Sequence, residues 1–386
     1  MALYSLAPLR PVAFSDTTNS VGIFCQVLHF VFILGGMQKA AFRIIDANFN
    51  RGREAARVME EYCRFVLNSA DLSAQCKSLR HRLCAAIGEF DPGRLIASRD
   101  SQRDVGAGLQ VAGQMARGSL KDCFTAAAKR LPEALRALAE TAQTLDSGSG
   151  QVFEQLRFDC YRLEKLIVTF SSSMERYSGV RLYVIITVKQ IGQSQWALKT
   201  AADCAAGGGD CIQLRCKGID DARLFTLAGE MVKVCHDNDS LCIINDRGDI
   251  AAAAGADGVH LGQDDLPVEQ VRRLGAEPMI IGLSTHNTEQ LEKAIACGVT
   301  YVGLGPVYAT DTKPGTEPAG LGYAKRAVEL LSQTGIGHAA IGGINLENID
   351  EVLKAGIKTV AVCSAVTDAD APKTVCKRLK SRIISY

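Results

Sequence analysis

The sequence predicts an α/β protein in which an all-α region is followed by a (β/α)8 (TIM) barrel. From Ser178 onward, short β-branched runs alternate eight times with Ala-rich amphipathic stretches, which is the number of units in such a barrel. Residues 37–176 instead carry apolar residues at helical spacing. The length of 386 residues agrees with two or three domains.

The first 36 residues fit neither region. Residues 21–34 are apolar except for Gln26 and His29, but a run of 14 residues is short for a bilayer span. Arg10 resembles the basic part of a signal peptide, yet no small-x-small cleavage site follows it. We therefore expect residues 1–36 to be a disordered or artefactual extension, with translation starting at Met37, and we expect a cytoplasmic protein. A membrane or export role is the alternative.

Residues 37–176 are predicted to form the all-α domain. Asn48 or Asn50 can cap a helix that continues through residues 53–67. Its apolar stripe would consist of Ala55, Val58, Met59, Tyr62, Phe65 and Val66. Further helices are expected near residues 72–87, 120–145 and 151–170. Several residues recur at an offset of 79, a pattern that two stacked helical hairpins would produce; a chance likeness between amphipathic helices is the alternative.

Residues 177–386 are predicted to form the barrel domain. Its candidate strands are residues 182–187, 211–214, 241–244, 258–261, 279–283, 301–305, 338–342 and 359–364. A doubly wound sheet would alternate in the same way, but eight units without a Gly-rich first turn favour the barrel.

Composition excludes some function classes. The net charge of +1 argues against nucleic-acid binding by an overall basic surface, so small molecules are the expected partners. It arises from an Arg-rich region of net charge +4 over residues 37–176 and a region of −3 over residues 177–386. The 14 cysteines form no CxxC pair, so we interpret them as small apolar residues of a reduced protein rather than as a disulfide framework or a zinc site.

Polar residues follow the predicted strands, at the end where (β/α)8 barrels carry their active sites. After the second strand, alternation directs Gln213, Arg215 and Lys217 to one side. The residues of interest after the other strands are Asn245, Asp246, His260, Asp265, Ser284, Thr310, Asp311, Thr312, Lys313, Gly342, Gly343, Cys363 and Ser364. We interpret His260 as a structural residue that supports the site, because no Ser–His–Asp arrangement stands out.

The charges of this set indicate a phosphorylated substrate. Asp246 and Asp265 could hold one Mg²⁺ with water and phosphate oxygens, although both could equally be helix N-caps. Three cationic side chains at the same rim suit a diphosphate; they are Arg215, Lys217 and Lys313. The loops with Gly342-Gly343 and Cys363-Ser364 are where this architecture often binds a phosphate.

Motifs at these strand ends carry a family resemblance. QLRCK, INDRGDIAAAAGADGVHLGQDDLP, GLSTHN, VGLGPVYATDTKPG and AIGGIN occur in order, and with them the region from residue 180 to 386 resembles thiamine-phosphate synthase, also called thiamine-phosphate pyrophosphorylase. The resemblance implies a transferase that condenses hydroxymethylpyrimidine diphosphate with hydroxyethylthiazole phosphate and releases pyrophosphate.

The resemblance also implies roles for single residues. The pyrimidine diphosphate would be bound by Gln213, Leu214, Arg215, Cys216, Lys217, Asn245, Ser284 and Lys313, of which Arg215, Lys217, Ser284 and Lys313 would be catalytic. Its Mg²⁺ would be bound by Asp246 and Asp265. The thiazole phosphate would be held by Thr310, Asp311, Thr312, Gly342, Gly343, Cys363 and Ser364.

Two positions depart from the family pattern. The family usually has an acid where Cys216 stands, and often Pro where Asp311 stands. Alternation should turn Cys216 away from the site, whereas Asp311 adds a negative charge near a phosphate or points outward.

The helical region has its own resemblance. RIIDANFNRGREAARVMEEYCRF, LRHRL and SRDSQRDVG resemble a small domain that is fused ahead of many such synthases and is similar to a hydroxymethylpyrimidine-phosphate kinase. The region has no GxxxxGK[ST] loop, so ATP would have to be bound in another way. The candidates are the arginines at 43, 51, 57, 80, 99 and 103. A non-catalytic docking or dimerisation module is the alternative.

The implied chemistry needs no general base. An aminopyrimidine can expel pyrophosphate to leave a stabilised methylene cation, which the thiazole nitrogen then captures, while the cations and Mg²⁺ stabilise the leaving group. A barrel that isomerises the thiazole phosphate and a non-catalytic sensor of thiamine precursors are the alternatives. The sequence leaves homo-oligomerisation open.

Overall fold

The structure is a computed structural model that describes residues 17–106, 108–109, 116–146, 148–274, 279–310 and 317–386, with the backbone alone for residues 17–34 and residue 191. The chain divides into two compact units. The first comprises the chain up to Ala55 together with His81–Ala116 and Lys129–Phe158. The second comprises Ala56–Arg80, Arg117–Ala128 and Asp159–Tyr386.

The part of the chain before the barrel is helical, as predicted. Its elements are α1 (Thr17–Glu61), a π-helical segment (Tyr62–Val66), α2 (Ala70–Ile87), α3 (Pro92–Ala97), α4 (Leu120–Gln143) and α5 (Gly150–Ser178). The predicted boundary between residues 176 and 177 therefore falls within the last turn of α5. Residues 1–16 of the expected extension lie outside the described residues, and residues 17–36 form the first turns of the α1 backbone.

The predicted helix start at Asn48 or Asn50 is wrong. Both asparagines lie inside α1, where the Nδ2 atom of Asn48 donates to the carbonyl oxygen of Ile44 and that of Asn50 to the carbonyl oxygen of Asp46, each at 2.9 Å. An asparagine that bonds the carbonyl four residues earlier is compatible with a continuous helix, so its side chain does not act as a cap here.

The predicted apolar stripe is correct only up to Tyr62. Ala55, Met59 and Tyr62 are buried, but Phe65 is 62% exposed. The reason is the π-helical segment, because its wider turn shifts the residues after Tyr62 around the helix axis. Val66 is exposed for the same reason.

The offset of 79 residues relates two equivalent ion pairs. The Nε atom of Arg57 lies 2.9 Å from Glu61 Oε1, and that of Arg136 lies 2.7 Å from Glu140 Oε1. Both are i,i+4 pairs on helix surfaces, a spacing that stabilises a helix modestly.

The remainder of the chain forms a closed barrel of eight parallel strands in sequence order, which confirms the predicted fold class and excludes the doubly wound sheet. The strands are β1 (Leu182–Val188), β2 (Cys211–Cys216), β3 (Leu241–Asn245), β4 (Gly258–Leu261), β5 (Ile280–Thr285), β6 (Tyr301–Leu304), β7 (Gly337–Ala340) and β8 (Val360–Val362). Each overlaps its predicted segment.

Helices surround the strands. They are α6 (Ser194–Ala206), α7 (Asp221–His236), α8 (Gly248–Ala253), α9 (Val268–Val271), α10 (Thr288–Ala296), α11 (Gly320–Leu331), α12 (Ile349–Lys354), α13 (Ser364–Thr367) and α14 (Pro372–Ile384), with a short 3-10 turn at Ile191–Gln193. Among the described residues, no helix is both long enough and apolar enough to cross a bilayer.

Alternation along the strands creates two apolar layers. In β1, Leu182, Val184 and Ile186 belong to the layer between strands and helices, whereas Tyr183 belongs to the cluster inside the barrel. The structure describes the side chains of 13 cysteines, and most of these are buried.

The last turns of α5 contact the amino end of the barrel. Arg176 forms an ion pair with Asp257, which immediately precedes β4. The Ser173 hydroxyl donates to the carbonyl oxygen of Met279, which immediately precedes β5, at 3.1 Å. The amino end of the barrel therefore contacts α5, and the polar side chains predicted from the sequence lie at the opposite, carboxyl end.

Candidate active site

A cavity of about 580 Å³ opens at the carboxyl ends of the strands. Its wall includes side chains or backbone from all eight strands or the loops that follow them. The site residues predicted from the sequence that line it are Gln213, Arg215, Lys217, Asn245, Asp246, Ser284, Thr310, Gly342, Gly343, Cys363 and Ser364. Asp311, Thr312 and Lys313 lie outside the described residues.

Strand β2 shows how alternation sorts these side chains. Gln213, Arg215 and Lys217 line the cavity, as the spacing predicts. Leu214 and Cys216, which were in the predicted pyrimidine set, instead pack in the apolar layer outside the strands. Burial raises the pKa of the Cys216 thiol to about 11. Cys216, which stands where the family usually has an acid, is therefore not part of the cavity wall.

Two carboxylates meet beside a lysine at the β3 and β4 ends. Lys217 Nζ lies 2.9 Å from Asp246 Oδ2. Asp265 accepts a hydrogen bond at 2.6 Å from the backbone N–H of Gly262, which lines the cavity. Burial raises the pKa of Asp265, and the neighbouring Asp246 carboxylate raises it further. The two predicted metal ligands are thus neighbours.

This pair meets the basic requirement of a Mg²⁺ site. Mg²⁺ is usually bound by one or two carboxylates, with water and substrate phosphate oxygens completing its shell. Within the described ranges, no group of three or more His, Cys, Asp or Glu side chains could enclose a metal ion.

Asp246 is also held in an unusual backbone conformation. Its φ is +63°, in the left-handed region, where Asp and Asn are tolerated better than most residues. Its N–H donates to the carbonyl oxygen of His260 at 2.8 Å. This bond ties the end of β3 to β4 and fixes the direction in which the carboxylate leaves the chain.

Ser284 and His260 form a hydrogen-bonded pair in the cavity wall. His260 Nε2 lies 2.9 Å from Ser284 Oγ, and His260 Nδ1 lies 2.9 Å from the hydroxyl of Tyr301. The interpretation of His260 as a supporting residue agrees with these contacts, although it also lines the cavity. Both ring nitrogens of His260 are thus hydrogen-bonded to side chains of the barrel.

Sequence reasoning missed three residues here. Tyr183 and Tyr301 are buried inside the barrel and bond the cavity residues Gln213 and His260. Their positions on inward-facing steps of β1 and β6 would have been the indication. His286, whose Nδ1 contacts the carbonyl oxygen of Gly305, also lines the cavity.

The opposite side of the cavity is built from glycine loops. Gly342 and Gly343 both have positive φ values, +107° and +64°. A Cβ at Gly342 would lie 2.5 Å from the Pro306 side chain, and one at Gly343 would lie 2.6 Å from the carbonyl oxygen of Ala309. Only glycine allows both the conformation and the close packing of these loops.

The arginines that were candidates for ATP binding are mostly engaged with acids. In the first unit, Arg99 forms two hydrogen bonds with Asp46, at 2.7 and 2.8 Å. In the second unit, Arg80 and Arg57 both contact the buried Glu60, at 2.9 and 3.4 Å. Charged pairs of this kind stabilise the packing of helices, and they leave less cationic charge for a ligand.

The fold and this cavity define a (β/α)8-barrel enzyme with its active site at the carboxyl end of the strands. Residues 182–366 match the thiamine monophosphate synthase family (TMP-TENI), and residues 43–166 match the ThiD2 family.

Named relatives extend over both regions. The chain is 38% identical to a thiamine-phosphate synthase of Nostoc sp. (strain PCC 7120) over 347 residues, which covers 90% of this chain and 95% of the relative. It is 38% identical to that of Synechocystis sp. (strain PCC 6803) over 344 residues, covering 89% and 96%. A solved thiamine phosphate pyrophosphorylase from Pyrococcus furiosus has 32% identity and a TM-score of 0.48, covering 53% of this chain and 96% of that one.

The chain therefore belongs to the thiamine-phosphate synthase family. This membership makes it a transferase of thiamine biosynthesis, as the motifs at the strand ends implied.

Proposed function

We propose that the barrel joins hydroxymethylpyrimidine diphosphate to hydroxyethylthiazole phosphate, giving thiamine phosphate and pyrophosphate. The observation that carries this proposal is that one cavity combines a cation–carboxylate set with the Gly342-Gly343 and Cys363-Ser364 loops on its other side. A two-substrate condensation needs both halves within reach of each other, since positioning alone supplies a large part of the rate.

The cation–carboxylate side fits the diphosphate. Arg215 and Lys217 bring two positive charges to the cavity, and Ser284, in β5, adds a hydroxyl to its wall. As the bond to the methylene carbon breaks, negative charge grows on the departing pyrophosphate. Fixed cations stabilise that charge more than they stabilise the ground state, which lowers the barrier. Lys313 would add a third positive charge for the same diphosphate.

Asp246 and Asp265 would hold Mg²⁺ on this side. Bound there, the ion would neutralise diphosphate charge. Lys217 already bonds Asp246 in the structure, so its ammonium group and the ion would share one carboxylate. Asp246 thereby orients Lys217, and Lys217 in turn holds the carboxylate in place at the cavity.

The glycine side fits the thiazole phosphate. Thr310, Gly342-Gly343 and Cys363-Ser364 line this part of the wall, and Asp311 and Thr312 would complete the set. Small residues let the backbone approach a bound phosphate closely. Proton transfer is not required, because the thiazole nitrogen attacks with its own lone pair.

The test supplies the full chain with both phosphorylated substrates and Mg²⁺ and measures thiamine phosphate and pyrophosphate together. Stoichiometric formation of both products is expected. Isomerisation of the thiazole phosphate without condensation would favour the tautomerase alternative, and binding of either precursor without turnover would favour the sensor.

We also propose that the helical region converts the pyrimidine monophosphate to the diphosphate with ATP. The match of residues 43–166 to the ThiD2 family supports this proposal. The full chain, given the monophosphate, ATP and the thiazole phosphate, should then form thiamine phosphate. If product appears only when the diphosphate is supplied directly, the helical region is a docking or dimerisation module instead.

A further inference from the structure

A continuous chain of hydrogen bonds crosses the inside of the barrel beneath the cavity. The Gln213 side-chain amide donates to the Tyr183 hydroxyl at 2.8 Å, and the hydroxyls of Tyr183 and Tyr301 lie 2.9 Å apart. The Tyr301 hydroxyl continues to His260, and His260 continues to Ser284, each at 2.9 Å. The chain thus starts and ends at side chains in the cavity wall.

These groups allow the hydrogen bonds to run in one consistent direction from Gln213 to Ser284. The Gln213 side chain donates through its Nε2 amide group, so the Tyr183 oxygen accepts this bond and the Tyr183 hydroxyl keeps one proton that it can donate to the Tyr301 oxygen. Tyr301 then donates its own proton to His260 Nδ1. A neutral imidazole that accepts at Nδ1 carries its proton on Nε2, and it therefore donates to Ser284 Oγ.

This direction decides what Ser284 can do. A serine hydroxyl has one proton and two acceptor lone pairs. Since the Ser284 oxygen accepts from His260, its own proton is available to be donated into the cavity. A donor at this place fits an anionic oxygen of a ligand, such as a phosphate oxygen.

Tyr301, in the middle of these hydrogen bonds, is positioned by a stacked aromatic ring and by glycines on the neighbouring strands. Tyr177, in the last turn of α5, stacks on Tyr301 with ring centres 4.2 Å apart and an angle of 7° between the rings. A Cβ at Gly282 would overlap the Tyr301 ring, and one at Gly337 would lie 2.6 Å from the Tyr177 ring. The neighbouring strands thus leave space that these two rings fill.

We propose that Tyr177, Tyr183 and Tyr301 are positioning residues that hold His260 as the Nε2–H tautomer and thereby fix the Ser284 hydroxyl as a hydrogen-bond donor to the leaving diphosphate. The identity of the acceptor rests on the proposed function. The His260 tautomer and the direction of the hydrogen bonds do not depend on that function, so experiments can refute either part separately.

The first experiment measures the tautomer in the full chain. With ¹⁵N-labelled histidine, the His260 resonances are assigned by their loss in His260→Gln, which is necessary because the chain has six histidines. We expect an unprotonated Nδ1 and a protonated Nε2 at neutral pH. A protonated Nδ1 would reverse the bonds that join Tyr183, Tyr301, His260 and Ser284 and would overturn the proposal, whether or not the protein makes thiamine phosphate.

The second experiment removes the central hydroxyl. Tyr301→Phe keeps the stacked ring but leaves His260 Nδ1 without its donor, so we expect a mixture of tautomers and a roughly tenfold fall in kcat, with the KM for the thiazole phosphate changed by less than about twofold. The matched control is Tyr323→Phe, which removes a hydroxyl that donates to Thr285 Oγ1 at 2.7 Å in the layer outside the strands.

A purely structural role for Tyr301 would give a different result. Both Tyr→Phe variants would then lower the midpoint of unfolding while leaving the His260 tautomer and kcat unchanged. That outcome would contradict the proposal. If Tyr301→Phe does not fold, Tyr183→Phe interrupts the same chain one step earlier and is measured in the same way.

Discussion

At the residue scale, Asp246 has an unusual backbone conformation and two charged neighbours. Its left-handed backbone directs the carboxylate into the cavity, the carboxylate bonds Lys217, and Asp265 stands beside it. A carboxylate at this point can serve the lysine and a divalent cation together. Few substitutions would meet all of these demands.

We expect Asp246→Asn to lower turnover at least about a hundredfold, because it removes the charge that Mg²⁺ and Lys217 need. Asn tolerates the left-handed conformation, so the backbone should be retained, whereas Asp246→Ala should lose as much activity and some stability. The measurement is the steady-state turnover rate at increasing Mg²⁺ concentration. The control is Asp264→Ala, an exposed neighbour of Asp265. Near-normal rates of Asp246→Asn at saturating Mg²⁺ would refute the metal assignment.

Tyr177 makes a second prediction at this scale. Its hydroxyl is the buried side-chain polar atom that lacks a hydrogen-bond partner among the described residues, and burial raises the pKa of this phenol well above its usual value. A buried polar group without a partner costs about 1–3 kcal/mol. Tyr177→Phe should therefore keep or raise the free energy of unfolding, by about 1 kcal/mol, as measured by urea denaturation.

The comparison variant for Tyr177 is Tyr301→Phe. It removes a hydroxyl with two partners, Tyr183 and His260, and should lower the free energy of unfolding by roughly 1–2 kcal/mol. Equal destabilisation by both variants would mean that the Tyr177 hydroxyl has a partner in solution, such as a buried water.

At the scale of elements, the strands were more predictable than the helices. Each strand of the barrel is a short apolar run followed by polar residues, and alternation in β2 correctly separated Arg215 from its neighbours. Such patterns depend only on local sequence and on which face is buried. The same rule would have identified Tyr183, had inward-facing aromatic residues been considered along with polar ones.

The helix α1 was less predictable because its limits depend on tertiary contacts. Asn48 and Asn50 have good capping side chains, but the apolar residues before them are packed and the helix continues through them. The π-helical segment after Glu61 has no simple sequence signature, and it turned Phe65 outward. Local propensity gives way to packing in both cases.

The pairing of β5 with β6 yields a prediction for Gly282. Its Cα pairs with Tyr301, and an added Cβ would overlap the Tyr301 ring, so Gly282→Ala must displace the ring or the strand. We expect the free energy of unfolding to fall by about 1–3 kcal/mol, with loss of synthase activity, because the displaced ring carries the bond to His260.

A matched control for Gly282 lies in α7. Gly229 is exposed, and a Cβ there would meet nothing within 4 Å. Gly229→Ala should raise the free energy of unfolding by about 0.5–1 kcal/mol, since Ala loses less conformational freedom than Gly in a helix. If thermal or urea unfolding gave the two variants the same change, the argument from ring packing would be wrong.

At the scale of the whole molecule, the net charge of +1 is a sum of two unlike regions rather than a uniform property. Much of the Arg-rich charge is already engaged by acids such as Asp46 and Glu60. Stability of the whole chain should therefore depend on particular titrating groups more than on overall repulsion. One of these lies at the start of β7.

His338 gives the chain a dependence of stability on pH. Its Nε2 accepts the backbone N–H of Lys358 at 2.9 Å, and burial, together with the charges of Lys358 and Arg181, lowers its pKa to about 4. Between that value and the ordinary histidine pKa of about 6.5, the unfolded chain binds a proton that the folded chain does not. The free energy of unfolding should therefore fall as the pH falls from about 6.5 to about 4, by roughly 3 kcal/mol at most.

The His338 effect is isolated by difference. Urea denaturation of the full chain at a series of pH values between about 4 and 7 is compared with the same series for His338→Gln, which cannot take up the proton. In the variant, the free energy of unfolding should no longer show the pH dependence that His338 contributes. The contributions of other groups should remain, including that of Asp265, whose raised pKa has the opposite effect and stabilises the folded state at lower pH. Parallel curves for the two proteins would show that the His338 ring is solvated well enough to be protonated in the folded chain.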